Sequence, residues 1–218
     1  MLKLYYGSGA CSFLPHVGLE AISAATGEAF ETQAVKLHKG EQKSPEYLAL
    51  NPLGLVPVLV VDHQPLSQIV AICDYLDRRY PQAGLLPADP WQRAQAMSLF
   101  AWMNNTVHPT FTHIFRPEKF AEGEAARAEV RRTALEMFRG QLERIQGLTA
   151  KAGPFLLGDK LSFLDAYALV FLRWAGLAGI DPASLPAYRD FVGRLSAVPP
   201  VAAAMAREGI NLETYKNK

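Results

Sequence analysis

Asn51-Pro52-Leu53-Gly54-Leu55-Val56-Pro57-Val58-Leu59-Val60-Val61 is the stretch whose reading decides the fold. Its last four residues are apolar and mostly β-branched, as in a buried strand, and Pro57 stands at the mouth of that strand. Proline has no amide to give to a ladder, so within sheets it is confined to first positions, edges and bulges. A cis Val56-Pro57 bond would turn the chain so that the Val56 backbone faces outward, its amide and carbonyl open to an extended peptide ligand. An ordinary strand-entry proline is the alternative reading.

Upstream, Leu2 to Tyr6 reads as a strand, Gly7-Ser8-Gly9 as a turn, and Leu14 to Ala24 as an amphipathic helix. A second strand is predicted around Ala29 to Val35, then a polar loop from Lys36 to Lys43 and a short helix from Pro45 to Leu50. Downstream, the chain turns at Asp62-His63-Gln64-Pro65 towards a helix from Gln68 to Arg79. The order is β-α-β, connection, β-β-α. Breakers crowd the segment from Pro81 to Pro90, and beyond it β-branched runs give way to helical periodicity. Helices are predicted at about Pro90 to Phe115, Glu124 to Leu148, Ser162 to Ala178, Pro186 to Ala197 and Pro200 to Arg207. The expected division is an α/β unit over 1–81, a linker over 82–90 and an all-α unit over 91–218.

Of 218 residues, half are hydrophobic, enough for two packed units, and the net charge is +1 with no block of like charge. Nothing here would hold a polyanion by counterion release, so nucleic acid is not an expected partner. No apolar run is long enough to span a bilayer, and no basic n-region with an apolar core precedes the first strand. The expectation is a soluble, cytoplasmic chain with no membrane partner. Its two cysteines, Cys11 and Cys73, suggest neither a disulfide framework nor a metal site.

Cys11 lies between the first strand and the first helix, where unpaired amides and the helix dipole favour an anion. That setting is expected to lower the thiol pKa. Packing of a small apolar residue is the alternative. Cys73, among Ile72 and Leu76 on a helix, reads as core. His108 precedes Pro109, whose ring would clash with the Asn105 carbonyl and kink the helix, opening a face for the imidazole. Asn104 lies one turn earlier on the same side. His16 and His113 read as structural. Ser162-Phe163-Leu164-Asp165 fits a capping box at the start of a helix that is apolar nearly all round and therefore buried.

Gly9-Ala10-Cys11-Ser12, Asn-Pro-x-Gly-x-Val-Pro over 51–57, Leu66 to Ile72, and a helical half with Ser162-x-x-Asp165 together resemble the cytosolic glutathione transferases, nearest to the bacterial beta class. The resemblance covers nearly the whole chain. It implies a thioredoxin-like domain that binds glutathione as co-substrate, an all-helical domain that takes the second substrate, and a homodimer needing no metal. It implies that Cys11 and His108 are catalytic, that Leu55, Val56, Pro57, Gln68 and Ile69 lie along glutathione, and that Ser162 and Asp165 are structural. Phe111, Phe115 and Trp174 would suit an apolar or aromatic electrophile.

The hydroxyls of Tyr5, Tyr6, Ser8 and Ser12 are rival activators of the glutathione sulfur, since most classes of the family use one. The implied reaction is attack of the glutathione thiolate on an electrophile or its exchange with a disulfide. Glutathione-dependent isomerisation or dehalogenation, and a non-catalytic binding role, are the alternatives. Two positions depart from the pattern. Ile69 stands where a serine usually holds the γ-glutamyl carboxylate, a loss of about 1.5–3 kcal/mol for one hydrogen bond to a charged group. Ala101 stands where the beta class often has asparagine.

Overall fold

The computed structural model describes residues 1–212. Its N-terminal part is a four-stranded sheet in the order β2-β1-β3-β4, formed by β1 (Leu2–Tyr6), β2 (Phe30–Ala34), β3 (Val58–Val61) and β4 (Gln64–Ser67). β2 runs parallel to β1, as a strand returning through a helical crossover must, and β3 and β4 are antiparallel additions. The crossover is α1 (Phe13–Thr26), and α2 (Pro45–Leu50) and α3 (Ile69–Arg79) complete this part. Strand alternation places Leu2, Leu4 and Tyr6 against α1 and the rest of the core. The Val56–Pro57 bond is cis, and Pro57 stands just before β3.

The helical part comprises α4 (Pro90–Trp102), α5 (His108–Phe115), α6 (Glu124–Thr149), α7 (Phe163–Leu177), α8 (Pro186–Ser196) and α9 (Pro199–Glu208). One hydrophobic core runs through both parts, from Leu4 and Phe13 to Phe163, Phe171 and Tyr188. Helix α7 is its axis: from Phe163 to Leu172 every residue is buried. It packs on α1, and α1 also packs on α9.

One predicted helix is corrected. Pro90 to Phe115 is helical over its whole length but not α-helical throughout, because Met103–Val107 forms a π-helical turn, with the His108 amide bonding the Met103 carbonyl five residues back. Pro109 supplies the reason: it lacks an amide, and its ring would collide with the Asn105 carbonyl of an unbroken α-helix. The widened turn removes the collision without ending the helix, and it shifts the faces of α4 and α5 relative to each other. No helix among the described residues is long and apolar enough to cross a membrane.

Candidate active site

The loop from Gly7 to Ser12 closes on itself before α1 begins. The Ala10 amide bonds the Gly7 carbonyl, and the Phe13 amide bonds the Ala10 carbonyl. Ser12, fully buried, accepts from the Gly7 amide and donates to the Gly7 carbonyl, so its hydroxyl is consumed locally. Ser8 donates to the Glu208 carbonyl and Tyr6 to the Arg207 carbonyl. Three of the four rival hydroxyls are thus committed to backbone oxygens. The fourth, on Tyr5, belongs to a ring set edge-on to Tyr47, beneath a small cluster around Val58.

Cys11 is buried, with its Sγ 3.7 Å from the Val56 carbonyl oxygen. The expected depression of its pKa is corrected. Burial pushes the thiol up to about 12, outweighing the pull of the Cys11 and Ser12 amides. The helix-terminus argument fails because desolvation of a charged sulfur exceeds what two nearby amides return. Cys11 is therefore a thiol at neutral pH, and like those three hydroxyls it donates to a backbone oxygen, that of Val56. Cys73 is completely buried, as expected of a core residue.

Val56 is held in place by its neighbours. The Leu55 carbonyl accepts from both the Tyr47 hydroxyl at 2.9 Å and the Asn51 side-chain amide at 2.8 Å, which anchors the turn in front of cis Pro57. With its carbonyl occupied, Leu55 offers only an exposed side chain. Among the described residues nothing accepts a hydrogen bond from the Val56 amide. Gln68 precedes α3 with φ 73° and ψ 121°, a backbone conformation L-residues rarely adopt, and its side chain is exposed and does not cap the helix. Ile69 faces the core, so only its amide, at the first turn of α3, is presented outward.

From the helical part, the π-turn delivers His108. Its Nδ1 is 2.7 Å from the Tyr167 hydroxyl, which also reaches Asn104 Oδ1 at 3.4 Å. Desolvation lowers the imidazole pKa to about 4, so it is neutral at physiological pH. The ring meets Trp174 at 4.8 Å, Trp174 stacks on Phe111 at 4.4 Å, and Phe111 stacks on Phe115 at 5.6 Å. The three expected aromatics are therefore one continuous stack, buried at Trp174 and Phe111 and exposed at Phe115. Trp174 Nε1 donates to the Gly9 carbonyl at 3.1 Å, tying the stack to the Cys11 loop. Ala101 is exposed near the end of α4.

Asn104, expected on the same side as His108, meets it through Tyr167, and residues given no site role in the sequence reading complete this region: Tyr167, Arg173 on Gly9, and Glu208 paired with His16 beneath the loop. Only a carboxylate beside Arg207 at the end of a helix apolar up to that point, at Glu208, was a visible signal, and its partner lies 192 residues away. His113 is structural, as expected: it bonds the Pro109 carbonyl and stacks on Phe120 at 3.7 Å. Among the described residues no group of three or more His, Cys, Asp or Glu is placed to hold a metal.

Comparison with known proteins identifies the family of this fold. Residues 2–78 match the glutathione S-transferase N-terminal domain and residues 104–208 the glutathione S-transferase C-terminal domain. A glutathione S-transferase of Xanthomonas campestris is 35% identical over 211 residues, covering 96% of this chain and all of its own length. A bacterial beta class glutathione S-transferase from Sphingomonas chungbukensis superposes with a TM-score of 0.81 at 28% identity, over 96% of this chain and all of that one. A maleylacetoacetate isomerase from Methylobacterium extorquens, solved with malonate and glutathione bound, has a TM-score of 0.73 at 30% identity, over 93% and 95% of the two chains. With both domain families matched in order and a relative of this identity covered end to end, the chain belongs to the glutathione S-transferase family.

Proposed function

We propose that residues 1–81 bind glutathione, that residues 91–218 receive the second substrate, and that the glutathione sulfur, not Cys11, is the attacking nucleophile. The observation that carries this reading is the buried Cys11 thiol 3.7 Å from the Val56 carbonyl, with the Val56 amide unbonded and an aromatic stack tied to the same loop at Gly9. Glutathione extended along Val56 would take backbone hydrogen bonds there. Its γ-glutamyl carboxylate would meet the Ile69 amide and the first turn of α3, where an anion is favoured.

The cysteinyl sulfur then lies by Cys11 and His108. A thiol hydrogen donated to a thiolate stabilises the anion and lowers the glutathione pKa, as a hydroxyl does elsewhere in the family. His108 acts as a neutral hydrogen-bonding group. Tyr167 can donate to Nδ1, or it can accept from Nδ1 while donating to Asn104, so either imidazole tautomer has a partner. The thiolate attacks an apolar or aromatic electrophile lying on Phe115 and Phe111, and the leaving group departs to solvent. Because burial raises its pKa far above neutral, Cys11 itself is a poor initiator of disulfide exchange.

Cys11→Ala and His108→Ala are each expected to lower kcat/KM for glutathione conjugation about tenfold or more. Wild-type rates for both variants, in conjugation and in disulfide reduction alike, would overturn these roles. Isomerisation is a second reading, favoured by the likeness to a maleylacetoacetate isomerase. In that reaction free glutathione is regenerated at every turnover, so product analysis separates it from conjugation. The same proposal places the protein in the cytoplasm as a homodimer that removes reactive electrophiles, with sedimentation measuring the dimer.

A further inference from the structure

Beneath the Cys11 loop lies a buried carboxyl–imidazole pair that the reaction above does not use. The Glu208 side chain, at the end of α9, and the His16 side chain, in α1, are both fully buried, with Glu208 Oε1 2.8 Å from His16 Nδ1. Glu208 Oε2 accepts from the Gly9 amide at 2.8 Å, and the Glu208 backbone carbonyl accepts from the Ser8 hydroxyl at 2.5 Å. The last turn of a helix leaves carbonyls without partners, and here the loop supplies them donors from Tyr6 and Ser8. The other face of the same peptide segment is also gripped: the Gly9 carbonyl accepts from Arg173 Nη1 at 3.0 Å and from Trp174 Nε1 at 3.1 Å.

Gly9 thus has its amide held by α9 and its carbonyl by α7, two residues before Cys11. Only glycine fits, since φ is 64° and a Cβ would collide with the Arg173 guanidinium. A fully buried carboxylate is costly unless each oxygen has a partner. An apolar residue here would leave the buried Gly9 amide and His16 Nδ1 without partners, so the acid ties the loop to both.

We propose that Glu208, oriented by His16, is a positioning residue for catalysis: it clamps Gly9 so that the Cys11 thiol points at the sulfur site beside Val56. The inference rests on the role given to Cys11 above. Releasing the clamp frees the loop, turns the thiol away from the Val56 carbonyl, and leaves Trp174 holding a mobile partner. Glu208→Gln is the informative substitution, because it keeps the volume and one acceptor while removing the charge.

The experiment is a double-mutant cycle between Glu208→Gln and Cys11→Ala in full-length protein, read as kcat/KM for glutathione conjugation at a temperature where every variant is folded by circular dichroism. Alkylation of Cys11 by iodoacetamide is followed in parallel by mass spectrometry. Glu208→Gln alone is expected to lower kcat/KM tenfold to hundredfold, the range for losing one hydrogen bond to a charged group. Added to Cys11→Ala it should cause less than a twofold further loss, because both changes remove one interaction. Cys11 alkylation should quicken several-fold in Glu208→Gln. His16→Asn should reproduce both effects in weaker form.

Additive losses in the cycle, or a Glu208→Gln variant within twofold of wild type in both turnover and alkylation, would overturn the proposal and leave the pair as packing. If Cys11→Ala turns over like wild type, the reading of Cys11 falls by itself. The alkylation rate then decides the clamp alone: faster alkylation in Glu208→Gln upholds it, and an unchanged rate overturns it.

Discussion

At the scale of single residues, the chemistry of this protein is set by desolvation. Cys11 and His108 both sit where burial opposes charge, so the thiol is pushed up to about 12 and the imidazole down to about 4. In the function proposed above, the two would serve as neutral hydrogen-bonding groups for the glutathione thiolate, and the charge would arrive with the substrate. His108 is accordingly expected to show no change in its ring proton shifts between pH 5.5 and 8 by NMR; a titration midpoint near 6.5 would contradict this. The sign for stability follows. Between about pH 4 and the ordinary value of 6.5 the unfolded chain holds the extra proton, so the His108 contribution favours folding more as pH rises through that window.

At the scale of elements, α7 shows the same competition at a carboxylate that hydrogen bonds only partly compensate. In the capping box, Asp165 Oδ2 accepts from the Ser162 amide at 2.8 Å and the Ser162 hydroxyl at 2.6 Å, and Oδ1 accepts from the Leu156 amide at 2.7 Å. Burial still prevails and raises the Asp165 pKa from 3.8 to about 6. Between those values the folded state holds the extra proton, so this group makes stability fall as pH rises, by about 3 kcal/mol across the window. His108 and Asp165 therefore tilt the pH dependence in opposite senses between pH 4 and 6. Asp165→Asn should remove one slope, so that its urea midpoint climbs from pH 4.5 to 6 more steeply than that of the wild type. A parallel pair of curves would refute the assignment. Ser162→Ala is expected to cost about 0.5–2 kcal/mol at neutral pH, the range for a lost helix cap.

At the scale of the whole molecule, the core is continuous from β1 through α1 to α7, so the sheet and the helical part should unfold together. A ligand bound only by the native state must then raise the stability of both. Glutathione at a hundred times its Kd should add about 2.7 kcal/mol, or about 5–11 °C in Tm for a chain of this size. No shift at millimolar glutathione would favour a binding or regulatory role that does not use it. Much of this was legible beforehand. Strand alternation, the breaker-rich stretch from Pro81 to Pro90 and the helical periods gave the element order, and Val56-Pro57 with Ser162-x-x-Asp165 marked the family. The π-turn was not legible, because Pro109 announces a disturbance without saying whether the helix bends, stops or widens. Sequence alone determined the order of the strands and helices and named candidates for chemistry, since both depend on local periodicity and residue type. Tertiary structure alone decided their protonation and company: whether Cys11 is thiol or thiolate, which hydroxyls are already spent, and that Glu208 meets His16. Those outcomes depend on burial and on contacts between residues far apart in the chain, and no local pattern encodes either.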